Sequence, residues 1–135
     1  MQKKYFTLEE AQNVLPEVRK KLIALMKLNK AVQMLNEIQV EYADDFEAVW
    51  NEVERNKQYH ELSHTFFKLY QELLKTGAMV KDLNTGLIDF YSKFGGRDIF
   101  LCYKFGEKKI GFWHPLETGF GGRQSVSMLE NKKEV

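Results

Sequence analysis

Val18, Leu22, Leu25, Leu28, Val32 and Leu35 recur at spacings of three and four, and Tyr59, Leu62, Phe66, Leu69 and Leu73 do the same further along. Such spacing puts all the apolar groups of a segment on one face of a helix. Each stripe must be buried, and the nearest partner for one is the other. The first helix starts at Thr7-Leu-Glu-Glu10, a capping box in which the Thr7 hydroxyl accepts from the Glu10 amide and the Glu10 carboxylate reaches back. Pro16 cannot donate to the helical ladder and predicts a kink or a fresh start, after which the helix runs to about Gln39. Asp44-Asp45 is an acidic, cap-competent start for the second helix, whose apolar face opens with Phe46, Val49 and Val53 and which stops at Thr76-Gly77. A linker of only about 40 to 43 folds the two into an antiparallel hairpin with an acidic tip.

After Gly77 the period switches from helical to alternating. Ala78 to Leu83 and Leu87 to Phe90 read as strands around an Asn84-Thr-Gly86 turn, and Gly95-Gly96 makes the next turn. Ile99 to Phe105 is the strongest strand, and Lys109 to His114 is the last. The expected fold class is therefore α+β: a long antiparallel helical hairpin followed by a small antiparallel sheet of three or four strands. One domain spans 1–135, with the helical part at 7–76, the sheet and a glycine-rich loop at 78–123, and a tail at 124–135.

A chain of 135 residues with 44% hydrophobic and 29% charged residues has the composition of a soluble globular domain. Net charge is +1, so no global field draws it to nucleic acid or to an acidic membrane. One cysteine, Cys102, allows no internal disulfide, and its mid-strand position marks it as inert. No apolar leader and no membrane-length apolar run is visible, so the expected location is the cytoplasm.

Two motifs carry chemistry. His60-Glu-Leu-Ser-His64 matches the zinc-peptidase pattern H-E-x-x-H. At 100° per residue, however, His60 and His64 lie about 130° and about 170° from the centre of the apolar seam. They face away from the partner helix and are expected only as adventitious metal ligands. No metal and no cofactor is otherwise expected. The second motif is Phe112 to Arg123, which puts a histidine, a carboxylate, three glycines and an arginine behind a hydrophobic run. Alternation puts His114 at the rim of an apolar face, where an acid/base role suits it, with Glu117 or Asp89 as its orienting carboxylate. Arg123 offers a planar fork for an anion, Gly121 and Gly122 allow close backbone approach, and Trp113 adds a ring.

Several segments together resemble the prokaryotic family called domain of unknown function 2203. They are Phe6-Thr-Leu-Glu-Glu-Ala11, Leu15-Pro-Glu-Val-Arg19, Val80-Lys-Asp82, Gly86-Leu-Ile-Asp-Phe90, Phe100-Leu-Cys-Tyr103, Gly106-Glu107, Phe112-Trp-His114 and Gly119-Phe-Gly-Gly-Arg123. Tyr103 departs from the family pattern, where tryptophan is usual. The resemblance implies no activity, substrate or cofactor, and the cell-division label some members carry fits a coiled-coil pattern rather than a function.

The expected function is that of a binding or accessory protein with a site for a small anionic ligand at the C-terminal end of the sheet. A small hydrolase or isomerase using His114 is the alternative. Zinc peptidase chemistry through His60-Glu61-x-x-His64, and an RNA-polymerase-binding coiled-coil factor with Asp44-Asp45 at its tip, stand behind those two. The protein partner is unknown. Ile23, Trp50 and Phe67 lie off the main seams, where they would pack between the helices of a homodimer.

Overall fold

The computed structural model describes residues 3–37 and 44–130. Helix α1 (Leu8–Glu37) and helix α2 (Asp45–Lys75) lie side by side. Ala31 and Leu35 of α1 stand with Leu62 of α2, while Leu22 and Leu25 share the core with Leu73, so the pair is antiparallel. The linker at 40–43 lies outside the described residues.

The capping box forms as the residue types require: Thr7 N donates to Glu10 Oε1 at 2.8 Å and Glu10 N to Thr7 Oγ1 at 3.1 Å. Hydrogen bonds from the Thr7 backbone and side chain hold the Glu10 carboxyl below its ordinary range. A carboxyl depressed by folding stabilises the protein above its unfolded-state value near 4.5, and that contribution is lost as pH falls through the lower folded value. Glu10→Gln, which keeps the cap but not the charge, is therefore expected to narrow the gap between urea midpoints at pH 7 and pH 3; an unchanged gap would count against this assignment. Asp44 caps α2 by accepting from Glu47 N at 2.8 Å.

Of the two outcomes expected at Pro16, a kink or a fresh start, the second does not occur: α1 is continuous through it and forgoes only the bond that residue would have donated to Gln12. One helical expectation needs correction. Phe46, Val49 and Val53 do not join the seam and are 79%, 63% and 57% exposed. The register explains this. Ala31 to Leu35, near the end of α1, already stand beside residues 58–65 of α2, so the first turns of α2 lie past α1. Trp50 and Phe67 are likewise exposed, and Ile23 is half-buried.

The sheet has five strands rather than three or four: β1 (Met79–Asp82), β2 (Leu87–Phe94), β3 (Arg97–Lys104), β4 (Phe112–Pro115) and β5 (Gln124–Ser125), in sequential antiparallel order. Strand β5 and the short helix α3 (Ser127–Glu130) occupy the start of the expected tail, and Val126 between them is a core residue. Gly95 and Gly96, with φ of +60° and +76°, supply the left-handed pair that a two-residue hairpin needs, and β2 and β3 pair along their full length on either side. Lys109 to Gly111 do not pair as strand. Instead the Gln12 carboxamide takes the place of a strand partner, donating to Ile110 O at 2.8 Å and accepting from Ile110 N at 2.9 Å.

Alternation and register give the sheet two different faces. Ile88, Phe90, Ile99, Leu101, Tyr103 and Trp113 point inward and join Phe6, Leu15, Val18, Leu22, Leu25 and Leu73 in one core. The outer face carries Asp89 and Tyr91 of β2, Phe100 and Cys102 of β3, and Phe112 and His114 of β4.

Candidate functional site

Polar groups are rarely buried without a reason, and the outer face buries two of them, Asp89 and His114, beside the thiol of Cys102. Asp89 is 2% exposed, Cys102 0% and His114 2%. The β2–β3 register sets Asp89 opposite Cys102, and the β3–β4 register sets His114 opposite Phe100, diagonal to Cys102. His114 Nδ1 lies 2.8 Å from the Pro115 carbonyl, which can only accept, so Nδ1 carries a proton. Nε2 then faces the Asp89 carboxylate, 3.2 Å from each of its oxygens.

The Cys102 thiol completes the cluster. Burial first, and the Asp89 charge second, push it up to about 12, against a smaller opposing pull from Arg123. A thiol so disposed is a poor nucleophile. Arg123 closes the site on the side of the C-terminal loop. Its Nη2 donates to Glu107 Oε1 at 2.7 Å and to the Cys102 carbonyl at 3.3 Å. Its guanidinium lies 4.2 Å from the Phe112 ring centroid and 4.7 Å from that of Phe120. Burial is the largest influence and opposes the Arg123 charge, but the bond to Glu107 together with the interactions with Cys102 and the Glu107 charge outweighs it, and the pKa rises. Glu107 also accepts from Lys104 N at 2.6 Å, which ties the loop after β3 to the loop before β5.

The inner face carries a second feature beyond the part that α1 covers. A cavity of about 580 Å³ lies at the β2–β3 hairpin end, walled by Phe94, Ile99, Trp113, Pro115 and Leu116, with Arg97, Asp98 and Glu117 among its polar lining. Register explains the convergence: Phe94 pairs with Arg97, Ile99 with Pro115 and Leu101 with Trp113, so these side chains share a face. The rings of Phe94 and Trp113 are 5.7 Å apart. Trp113 Nε1 is buried without a hydrogen-bond partner among the described residues, and Arg97 makes no ion pair there.

The residues singled out from sequence thus divide between two places. His114 and Asp89 meet on the outer face, and Arg123 stands beside them. Trp113 and Glu117 line the inner cavity, and Glu117 makes no bond to His114 among the described residues. Gly121 and Gly122 form the short 3-10 turn Phe120–Gly122 next to Arg123. Gly122 has no room for a side chain because a Cβ there would strike the Thr118 side chain, whereas Gly121 has open space around it. His60, Glu61 and His64 are exposed on α2, and no third ligating residue joins them among the described residues. Sequence reasoning missed Cys102, Glu107 and Arg97. A signal for Cys102 was present, because a two-residue turn at Gly95-Gly96 sets residue 89 opposite residue 102.

No helix among the described residues is long and apolar enough to cross a membrane. No curated protein and no solved structure matches the chain. Residues 4–126 match the family described as "Uncharacterized conserved protein (DUF2203)", a span that includes both helices, the whole sheet and every residue of both sites. The chain belongs to that family.

Proposed function

We propose that the protein binds a small ligand with an anionic group and an apolar body in the cavity at the C-terminal end of β4. One observation carries this reading: Arg97, which makes no ion pair among the described residues, stands beside the Trp113 and Phe94 rings at a cavity of ligand size with apolar walls. Arg97 supplies the charge. Arg123 is less suited, because its Nη2 already donates to Glu107 and to the Cys102 carbonyl. Phe94, Ile99 and Leu116 would hold the apolar part.

Binding is favoured over catalysis because His114 lies on the opposite face of the sheet from this cavity. The test uses Trp50→Phe, which leaves Trp113 as the sole tryptophan. Titration with a series of aromatic carboxylates is expected to change its fluorescence saturably. Arg97→Gln in the same background should weaken binding about tenfold, the loss of roughly 1.4 kcal/mol from a charged hydrogen bond. No saturable response, or one indifferent to Arg97, rejects the reading.

A further inference from the structure

We propose that Asp89, Cys102 and His114 hold one divalent transition-metal ion on the outer face of the sheet, zinc being the best match to their donor atoms. This centre is separate from the inner-face cavity and does not depend on it. Its three ligand atoms, a carboxylate oxygen, a thiol sulfur and an imidazole nitrogen, all lie within 4.8 Å of one another.

The orientation of His114 carries the argument. Its Nδ1 proton is committed to the Pro115 carbonyl, so the nitrogen with the free lone pair is Nε2, and Nε2 faces two carboxylate oxygens. Two lone-pair donors do not face each other across 3.2 Å in a buried site unless a cation lies between them. A proton can serve, and so can a metal ion. A backbone carbonyl fixing the outer nitrogen while the inner one points into the site is the usual support of a metal-bound histidine.

The distances fit. A tetrahedral ion bonded at about 2.0 Å to nitrogen and oxygen sets those donors about 3.3 Å apart, and a thiolate at about 2.3 Å sits slightly further away. The observed 3.2 Å is that edge. The ligands are also rigidly held, since they come from three neighbouring hydrogen-bonded strands rather than from loops.

The donor set selects the ion. Sulfur and imidazole disfavour magnesium and calcium, which take oxygen, and suit zinc. Charge closes as well: a carboxylate, a thiolate and a neutral imidazole balance a divalent cation, so the buried centre is neutral. The neighbouring positive charge of Arg123 is paired with Glu107. The exposed His60 and His64 offer two nitrogens and no third ligand among the described residues.

Cobalt(II) is the probe, because thiolate ligation gives it a near-ultraviolet charge-transfer band and tetrahedral geometry gives intense visible bands. The untagged full chain, stripped with chelator, should bind one equivalent with both signatures, and zinc should displace it. Cys102 is the sole cysteine, so the charge-transfer band can arise only there. Cys102→Ser should abolish that band and weaken binding by more than about 100-fold, beyond what loss of a supporting partner costs. The double variant His60→Ala, His64→Ala should leave band and affinity unchanged. If Cys102→Ser fails to fold, the wild-type spectrum alone decides. Absence of the charge-transfer band, a stoichiometry far below one, or binding lost only in the His60, His64 double variant would overturn the proposal.

Discussion

Asp89→Ala is expected to cost about 3–5 kcal/mol of folding free energy, measured by urea unfolding with chelator present so that no metal contributes. That is the usual penalty for removing one member of a buried charged pair and leaving the other without compensation. Asp89 is 2% exposed, and its two oxygens are the groups that meet His114 Nε2. Asp89→Asn separates electrostatics from packing. Its amide N–H can donate to the lone pair on Nε2, so that variant should cost no more than about 2 kcal/mol, the scale of one altered hydrogen bond. Equal costs for Ala and Asn would show that volume, not the contact with His114, is what the position supplies. The same numbers explain why the cobalt experiment rests on Cys102 rather than on Asp89: a variant this unstable reports on folding before it reports on ligation.

Phe90→Ala is the other large effect, expected at about 3–5 kcal/mol with the denaturant slope unchanged. Phe90 is fully buried on the inner face of β2 and meets Phe6 edge-on, ring centroids 5.2 Å apart at 77°. Phe6 in turn is tied to β2, since its N–H donates to the Tyr91 carbonyl at 2.8 Å. The substitution therefore opens a cavity where the N-terminal segment, α1 and the sheet all meet. Against a typical domain stability of about 5–15 kcal/mol, a loss of this size leaves little margin. A cost below about 1 kcal/mol would mean the sheet collapses onto the gap, and that Phe6 is not held as described.

How far the sequence speaks depends on how local the deciding physics is. The capping box at Thr7 and Glu10, the start at Asp44, the stop at Thr76-Gly77 and the turns at Asn84 to Gly86 and at Gly95-Gly96 are settled by residues within four positions of each other, and all were legible. The hydrophobic period also showed where helix gives way to strand. It did not show that Phe46, Val49 and Val53 lack a partner, because periodicity describes a face and says nothing of how far the neighbouring helix extends. Nor did it show that Ile110 bonds to Gln12, since that partner lies 98 residues away.

The site follows the same division. His114 and Asp89 were legible as chemistry-bearing residues and Arg123 as a cation near them, but Cys102 looked inert in the middle of a strand. Half of what brings it in was written locally, in the tight hairpin that sets Asp89 opposite Cys102. The other half, the register of β4 on β3, depends on the course of residues 105–111. That course is held by Glu107 against Lys104 and Arg123, and by Gln12 of α1 against Ile110.

By itself, the sequence determined the two long helices, the four strands up to β4 and their order, and which residues could do chemistry, because propensity, capping and turn geometry act over a few residues; β5 and α3 it did not show. Only the tertiary structure decided which strand faces turn outward and which side chains meet there. It seated a carboxylate, a thiol and an imidazole together on one face, and an arginine and a tryptophan around a cavity on the other. The reason is that strand alternation assigns a face only once register is known, and here register is held by contacts between distant parts of the chain.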